Sequence, residues 1–135
     1  MKNIKKLQRL YLTHAAVALS VGGIIYLLLR ENTYLNDLFN IYGPLGSYVD
    51  CKIVNILRFY IVDALWGYAL VFSLATVLHP IFAAICSAVW GILWEFLQLK
   101  GVVSGTFDVF DIYSYLFSAF VALSIICLIT KEKQK

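Results

Sequence analysis

Charge is scarce in this sequence. Lys, Arg, Asp and Glu together make up 14% of its 135 residues, whereas an ordinary soluble domain carries about 25%. Too little polar surface remains to cover a globule in water, which excludes the soluble classes. Histidine is almost missing, and the two present, His14 and His79, have no second His or Cys at ligand spacing. The three cysteines, Cys51, Cys86 and Cys127, are odd in number and never fall at CxxC spacing, so they are not a disulfide framework. No HExxH, no nucleophile elbow and no phosphate-cradling glycine loop occurs, and no cofactor motif is found. Internal repeats and low-complexity tracts are also absent. The net charge of +3 comes from the two ends of the chain. Without a basic stripe interleaved with aromatics, it does not describe a nucleic-acid surface.

What fills the sequence is apolar. Hydrophobic residues reach 61%, and a bilayer core about 30 Å thick takes roughly 20 of them as a helix. The chain offers four such segments. The predicted fold is all-α: a polytopic membrane protein with a four-helix transmembrane bundle. A single membrane domain covers residues 1–135, with helices at about 11–29, 51–78, 80–98 and 109–130 and a short interfacial helix at about 33–42 in the first outer loop. The basic start, MKNIKKLQRL, leads into a run that ends in LLLREN without a small-residue cleavage site, so it is read as a retained anchor.

Periodicity places faces on these helices. His14, Ala18 and Gly22 recur every four residues in the first segment and form a narrow packing surface, with His14 read as a hydrogen-bonded histidine near the interface. Leu35, Leu38, Phe39 and Tyr42 have helical spacing after Thr33, until Gly43–Gly46 stops the pattern. Asp50 is a plausible N-cap for the second membrane helix. Arg58 and Asp63 lie about 140° apart on an α-helix and do not readily pair; Asp63 shares its face with Trp66 and Gly67. Pro80 suits the first turn of the third helix, and the short turn at His79 and Pro80 makes the second and third helices antiparallel neighbours. Along the third helix Ala84, Ala88, Gly91, Glu95 and Gln98 form one small-then-polar face directed into the bundle.

The organising stretch is the junction of the third and fourth helices, WGILWEFLQLKGVVSGTFDVFDIYSY over 90–115. Two strongly apolar segments meet at Glu95, Gln98, Asp108 and Asp111. A carboxylate at the bilayer centre costs roughly 2.5 to 3.5 kcal/mol on insertion scales and less near the interface, so such residues face protein or water and often mark a site. Asp108 and Asp111 also suit the start of a helix, where exposed N–H groups and the dipole favour acids. Trp90 and Trp94, one turn apart, stand either as interface belt residues or as flanks of a ligand.

This pattern of E-x-x-Q, a glycine-containing loop and D-x-x-D resembles the VanZ-like family of small bacterial membrane proteins, named for a member associated with teicoplanin resistance. Glu95 and Gln98 match the first motif, and Gly101 to Asp111 supplies the loop and the two acids. Ser104-Gly105 takes the place of the family's Arg, Tyr115 that of its Asn, and Ser118 and Ala122 those of its later glycines. Loss of that Arg removes a bidentate anion binder and leaves an acidic site, for which Arg58 or Lys100 is the available substitute. The resemblance implies a bacterial cell-envelope protein with an effect on glycopeptide susceptibility.

The expected function is a non-catalytic outer pocket binding a lipid headgroup, an envelope glycan, a lipid-linked envelope precursor or a partner membrane protein. Its candidate residues are Arg58, Asp63, Trp94, Glu95, Gln98, Lys100, Asp108 and Asp111. Two alternatives stand beside it. One is an enzyme with Glu95 as general base, or with Glu95, Asp108 and Asp111 as oxygen ligands of a divalent cation; the other is a structural subunit whose acids only cap and pair.

Orientation follows from the distribution of positive charge. Seven of the eleven Lys and Arg residues lie at the two ends, while Arg30, Lys52, Arg58 and Lys100 fall on the opposite side. Both termini are therefore expected in the cytoplasm of a bacterial cell, with the protein in its cytoplasmic membrane. An impermeant thiol reagent added to intact cells should reach Cys51 and should miss cysteines placed at Lys2 or Lys135. Labelling of either terminus would overturn the orientation.

Overall fold

The structure is a computed structural model and describes residues 2–29 and 52–132. The predicted interfacial helix at 33–42 and Cys51 lie outside the described residues. Helices run over Lys2–Leu29 (α1), Lys52–Ile56 (α2), Val62–Leu74 (α3), Pro80–Leu99 (α4) and Val109–Glu132 (α5), and a π-helical turn, Leu57–Ile61, joins α2 to α3. No strand occurs among the described residues. Because α2, the π turn and α3 form one continuous rod, four helical spans result, each long and apolar enough to cross a membrane.

The outer surfaces of these spans are apolar. Val17, Val89, Phe117, Phe120 and Leu128 are all more than half exposed. A soluble monomer rarely shows contiguous apolar surface on this scale, and it belongs here to helices long and apolar enough to cross a membrane.

Two boundaries differ from expectation. The first helix starts at Lys2 rather than near Tyr11, since Lys, Gln, Arg and Leu are good helix formers and extend the apolar span outward. The second span stops at Leu74, not Leu78. There Thr76 Oγ1 donates to Ser73 O at 2.7 Å, and the chain folds into a tight turn through Val77 N–H to Leu74 O at 3.0 Å. His79 then adopts extended backbone, φ −61° and ψ 138°, as the residue before a proline prefers. Pro80 opens α4 as expected. The connection thus occupies 75–79.

At the centre of the bundle is α3, which packs against α1, α4 and α5, while α4 and α5 also pack on each other. Small residues make these approaches close. Ser87 Oγ of α4 donates to Gly67 O of α3 at 3.0 Å in a buried site. The other side of Gly67 meets Ser118 of α5, and Gly91 of α4 lies flat against the Tyr115 ring; a Cβ at either glycine would overlap those side chains. The α1 face buries Tyr11, Ala15 and Ala18. Phe72 of α3 stacks on His14 at 4.6 Å and meets the edge of Tyr11 at 5.6 Å. His14 Nδ1 is hydrogen-bonded to Tyr68 Oη at 2.8 Å, which gives this histidine the packing role read from the sequence. Gln8 Nε2 donates to Thr76 O at 3.0 Å and fastens the start of α1 to the turn between α3 and α4.

Gly91→Leu should therefore lower the detergent melting temperature far more than Leu93→Ala, because Leu93 is 46% exposed on the outer face. Overpacking a tight contact typically costs about 1–3 kcal/mol, and an exposed substitution about 0.5 kcal/mol or less. Equal melting behaviour of the two variants would show that Gly91 is not a helix contact.

Candidate functional site

The site is built where α4 ends and α5 begins. α4 closes in a Schellman arrangement: Val102 N–H donates to Leu97 O and Gly101 N–H to Gln98 O, both at 2.9 Å, with Gly101 at φ +68°. Only a residue without a side chain adopts that φ cheaply. The loop then turns again at Gly105, φ +140°, which rests directly on the side-chain amide of Gln98. Oriented to satisfy both its ends, that amide donates to Thr106 O and accepts from Trp94 Nε1–H, each at 3.1 Å. Gln98 thus clamps the loop and fixes the Trp94 indole.

The loop delivers Asp108 to the start of α5. Asp108 Oδ1 accepts the N–H of Phe110 at 2.9 Å, the bond of an N-cap. Its Oδ2 accepts from Tyr60 Oη at 3.2 Å, and its own N–H donates to Glu95 Oε2 at 3.1 Å. Glu95 is only 2% exposed. One residue therefore joins three elements: the π turn through Tyr60, α4 through Glu95, and α5 through its cap. Asp111 N–H donates to Asp108 O at 3.2 Å in the first turn of α5.

Around this clasp lies a cavity of about 960 Å³. Its polar lining includes Asp63, Glu95, Gln98, Asp108 and Asp111, which the helices bring together from three separate stretches of sequence. Its aromatic lining comes from Tyr26 of α1, Phe59 and Tyr60 of the π turn, Trp66 of α3, Trp90 and Trp94 of α4, and Tyr115 of α5. The two α4 indoles stack at 6.4 Å, and Tyr26 and Trp66 sit 5.6 Å apart. One predicted residue, Lys100, is not among this lining. The Lys100 ammonium lies over the exposed Phe96 ring at 5.5 Å, away from the cavity. Arg58 belongs to the π turn, and its side chain is outside the described residues.

Tyr60 is the main participant that sequence reasoning missed, and the cause is the π turn. The wider i→i+5 backbone pattern inserts an extra residue into the helical count. Phe59 and Tyr60 thereby line the same cavity as Asp63, and the 140° separation of Arg58 and Asp63 expected from α-helical geometry does not carry across the turn. Apolar periodicity gives no signal for such a turn. Among the described residues, no three His, Cys, Asp or Glu side chains converge as metal ligands. Compared with protein-family models, curated proteins and solved structures, the chain finds no match.

The clasp is testable by a double-mutant cycle read from detergent melting. Asp108→Ala should cost about 1–2 kcal/mol through the lost cap, and Tyr60→Phe about 0.5–1.5 kcal/mol. The double variant should lose less than the sum, because both changes remove the same Tyr60–Asp108 bond. Strict additivity would show that this bond does not form.

Proposed function

We propose that this chain is an integral membrane protein of the bacterial cell envelope, and that its cavity is a non-catalytic binding site for a polar group at the outer face of the cytoplasmic membrane. On this reading both termini are cytoplasmic, as the Lys and Arg asymmetry argues. The acid-bearing ends of α4 and α5 then face outward, as in the VanZ-like proteins that the E-x-x-Q and D-x-x-D pattern resembles. The ligand is a lipid headgroup or lipid-linked envelope precursor, which a cavity opening at bundle-end level accommodates.

One observation carries the proposal: four carboxylates and a cluster of aromatic rings surround a cavity large enough for a headgroup. A purely structural reading has its own support, because the bonds among Tyr60, Asp108 and Glu95 tie three elements together. That role uses one oxygen of Glu95 and both oxygens of Asp108. Binding explains the ligand-sized space, which a clasp does not.

Neutralising variants separate the two. Glu95→Gln and Asp111→Asn preserve shape, so each should cost about 1 kcal/mol or less in the unliganded protein. In a thermal-shift panel of membrane lipids and lipid-linked glycans in detergent, the unaltered protein should be stabilised by at least one compound. Each variant should lose that stabilisation, with the double variant adding little. Ser114→Ala, one turn further along α5, should retain it. Full ligand-dependent stabilisation in both neutralised variants would favour the structural role.

A further inference from the structure

We infer that the groove between α1 and α3 seats one acyl chain of an anionic phospholipid whose phosphate lies against Lys6 and Arg9 at the start of α1. The site is at the far end of the bundle from the acid-lined cavity and stands independently of the role proposed for it. The groove, of about 340 Å³, runs along the outside of the bundle where α1 meets α3. Leu10, Thr13, Val17 and Val21 of α1 form one wall, and Leu65 and Tyr68 of α3 the other. Both hydroxyls in it are already bonded within the protein: Thr13 Oγ1 donates to Arg9 O at 2.9 Å, and Tyr68 Oη shares a hydrogen bond of 2.8 Å with His14 Nδ1. What the groove offers an occupant is therefore mainly hydrocarbon surface.

Its length selects a lipid chain. From Leu10 to Val21 the helix rises about 16 Å, about half of a hydrocarbon core roughly 30 Å thick. The groove thus spans one leaflet, the reach of one acyl chain. The rest of α1 sets its level. Residues 10–29 rise about 30 Å, enough to cross the core, so the turns before Leu10 stand in the headgroup layer.

Charge gives the head its sign. Lys6 lies one turn before Leu10 and Arg9 one turn before Thr13, so both continue the stripe that lines the groove, and both are exposed. The start of α1 also carries Lys2 and Lys5, and Lys131 stands near the end of α5, whereas among the described residues the one acid at this end is Glu132. Asp63, Glu95, Asp108 and Asp111 are all at the cavity end. A phosphate with no ammonium of its own complements this basic excess, and a guanidinium binds it through paired N–H donors. A zwitterionic head brings an ammonium that the same side chains repel. With the N terminus cytoplasmic, as proposed above, this end also faces the leaflet whose anionic lipids attract basic segments. A second copy of the chain is the poorer occupant: copies in one membrane share an orientation, so a two-fold contact through this groove would set Lys6 and Arg9 of one copy against those of the other.

Native mass spectrometry of the purified full-length protein, with dioleoyl phosphatidylglycerol added to the detergent at graded concentrations, tests this. One phosphatidylglycerol should be retained per chain, at least about tenfold tighter than dioleoyl phosphatidylethanolamine. Glycerophosphate, the head without the chains, should not be retained. Lys6→Gln and Arg9→Gln should each weaken phosphatidylglycerol by about fivefold. Lys5→Gln removes the same charge about 100° further round the helix and should change binding by less than about twofold. Val17→Trp and Val21→Trp place bulk in the groove at exposed positions and should each weaken binding by about tenfold, while Leu12→Trp, exposed on the other side of α1, should not. Exposed substitutions of this kind should leave the unliganded melting temperature nearly unchanged, and the two groove variants serve as independent checks on each other.

Equal retention of phosphatidylethanolamine would overturn the anionic head. Glycerophosphate held as tightly as the lipid would overturn the acyl seat, as would unchanged binding in both groove variants. A loss in Lys5→Gln matching that in Lys6→Gln would show that only total charge matters and would overturn the assignment to this face. A dimer that Val17→Trp dissociates would give the groove to a second copy instead. No retained phosphatidylglycerol would overturn the inference altogether.

Discussion

Glu95 is held almost wholly out of solvent at the point where α4, α5 and the π turn meet. The surrounding arrangement offsets the cost of that burial. A carboxylate in such a place needs donors, and the first comes from backbone: the N–H of Asp108, presented by a loop that two glycines and one glutamine hold in shape. The loop geometry, the position of the α5 cap and the Tyr60 hydroxyl then follow from bringing that N–H to Glu95. Remove the Schellman turn at Gly101 and the donor would be displaced from the acid it serves.

The same region shows why small residues dominate the helix contacts. Helix association in lipid gains little from apolar burial, since acyl chains are as apolar as leucine; it relies on close packing and on polar contacts between helices. Here Gly67 and Gly91 let α3, α4 and α5 approach until Ser87 can bond the Gly67 carbonyl and Tyr115 can lie over Gly91. Tyr115 thus both fills the contact and lines the cavity, so packing and site share a residue. The opposite end of the bundle is held differently, by the Tyr11, His14, Tyr68 and Phe72 cluster and the Gln8 bond to the turn. The acids lie at one end and the aromatic lock at the other.

The clasp and the cavity make different demands on the acids. Asp108 is committed: one oxygen caps α5 and the other accepts from Tyr60. Asp63 and Asp111 line the open space, and Glu95 contributes to both. Although all four look alike as acids in an apolar sequence, Asp108 and Glu95 are the ones bonded across elements through Tyr60 and the Asp108 N–H.

Hydropathy by itself determined the number and kind of spans, because four apolar runs of about twenty residues each are the length of a membrane-crossing helix, and four such helices form. Spacing by three and four residues also determined the inward face of α4, from Ala84 through Gly91 to Glu95, since a side chain's direction on a regular helix is fixed by its position in the count. The helix stop near Gly101 and the acidic start of α5 were legible for the same local reason. Tertiary structure decided what crosses between elements or breaks the regular count. The π turn shifts Phe59 and Tyr60 into register with Asp63, which no periodicity reveals because an inserted backbone residue has no compositional signature. Tyr115 against Gly91, and Tyr26 beside Trp66, depend on which helices are neighbours. Lys100 looked available to the acids from its place in the chain, yet the Schellman turn leaves its ammonium over Phe96, because the direction of a side chain just past a helix end is set by the three-dimensional path of the loop.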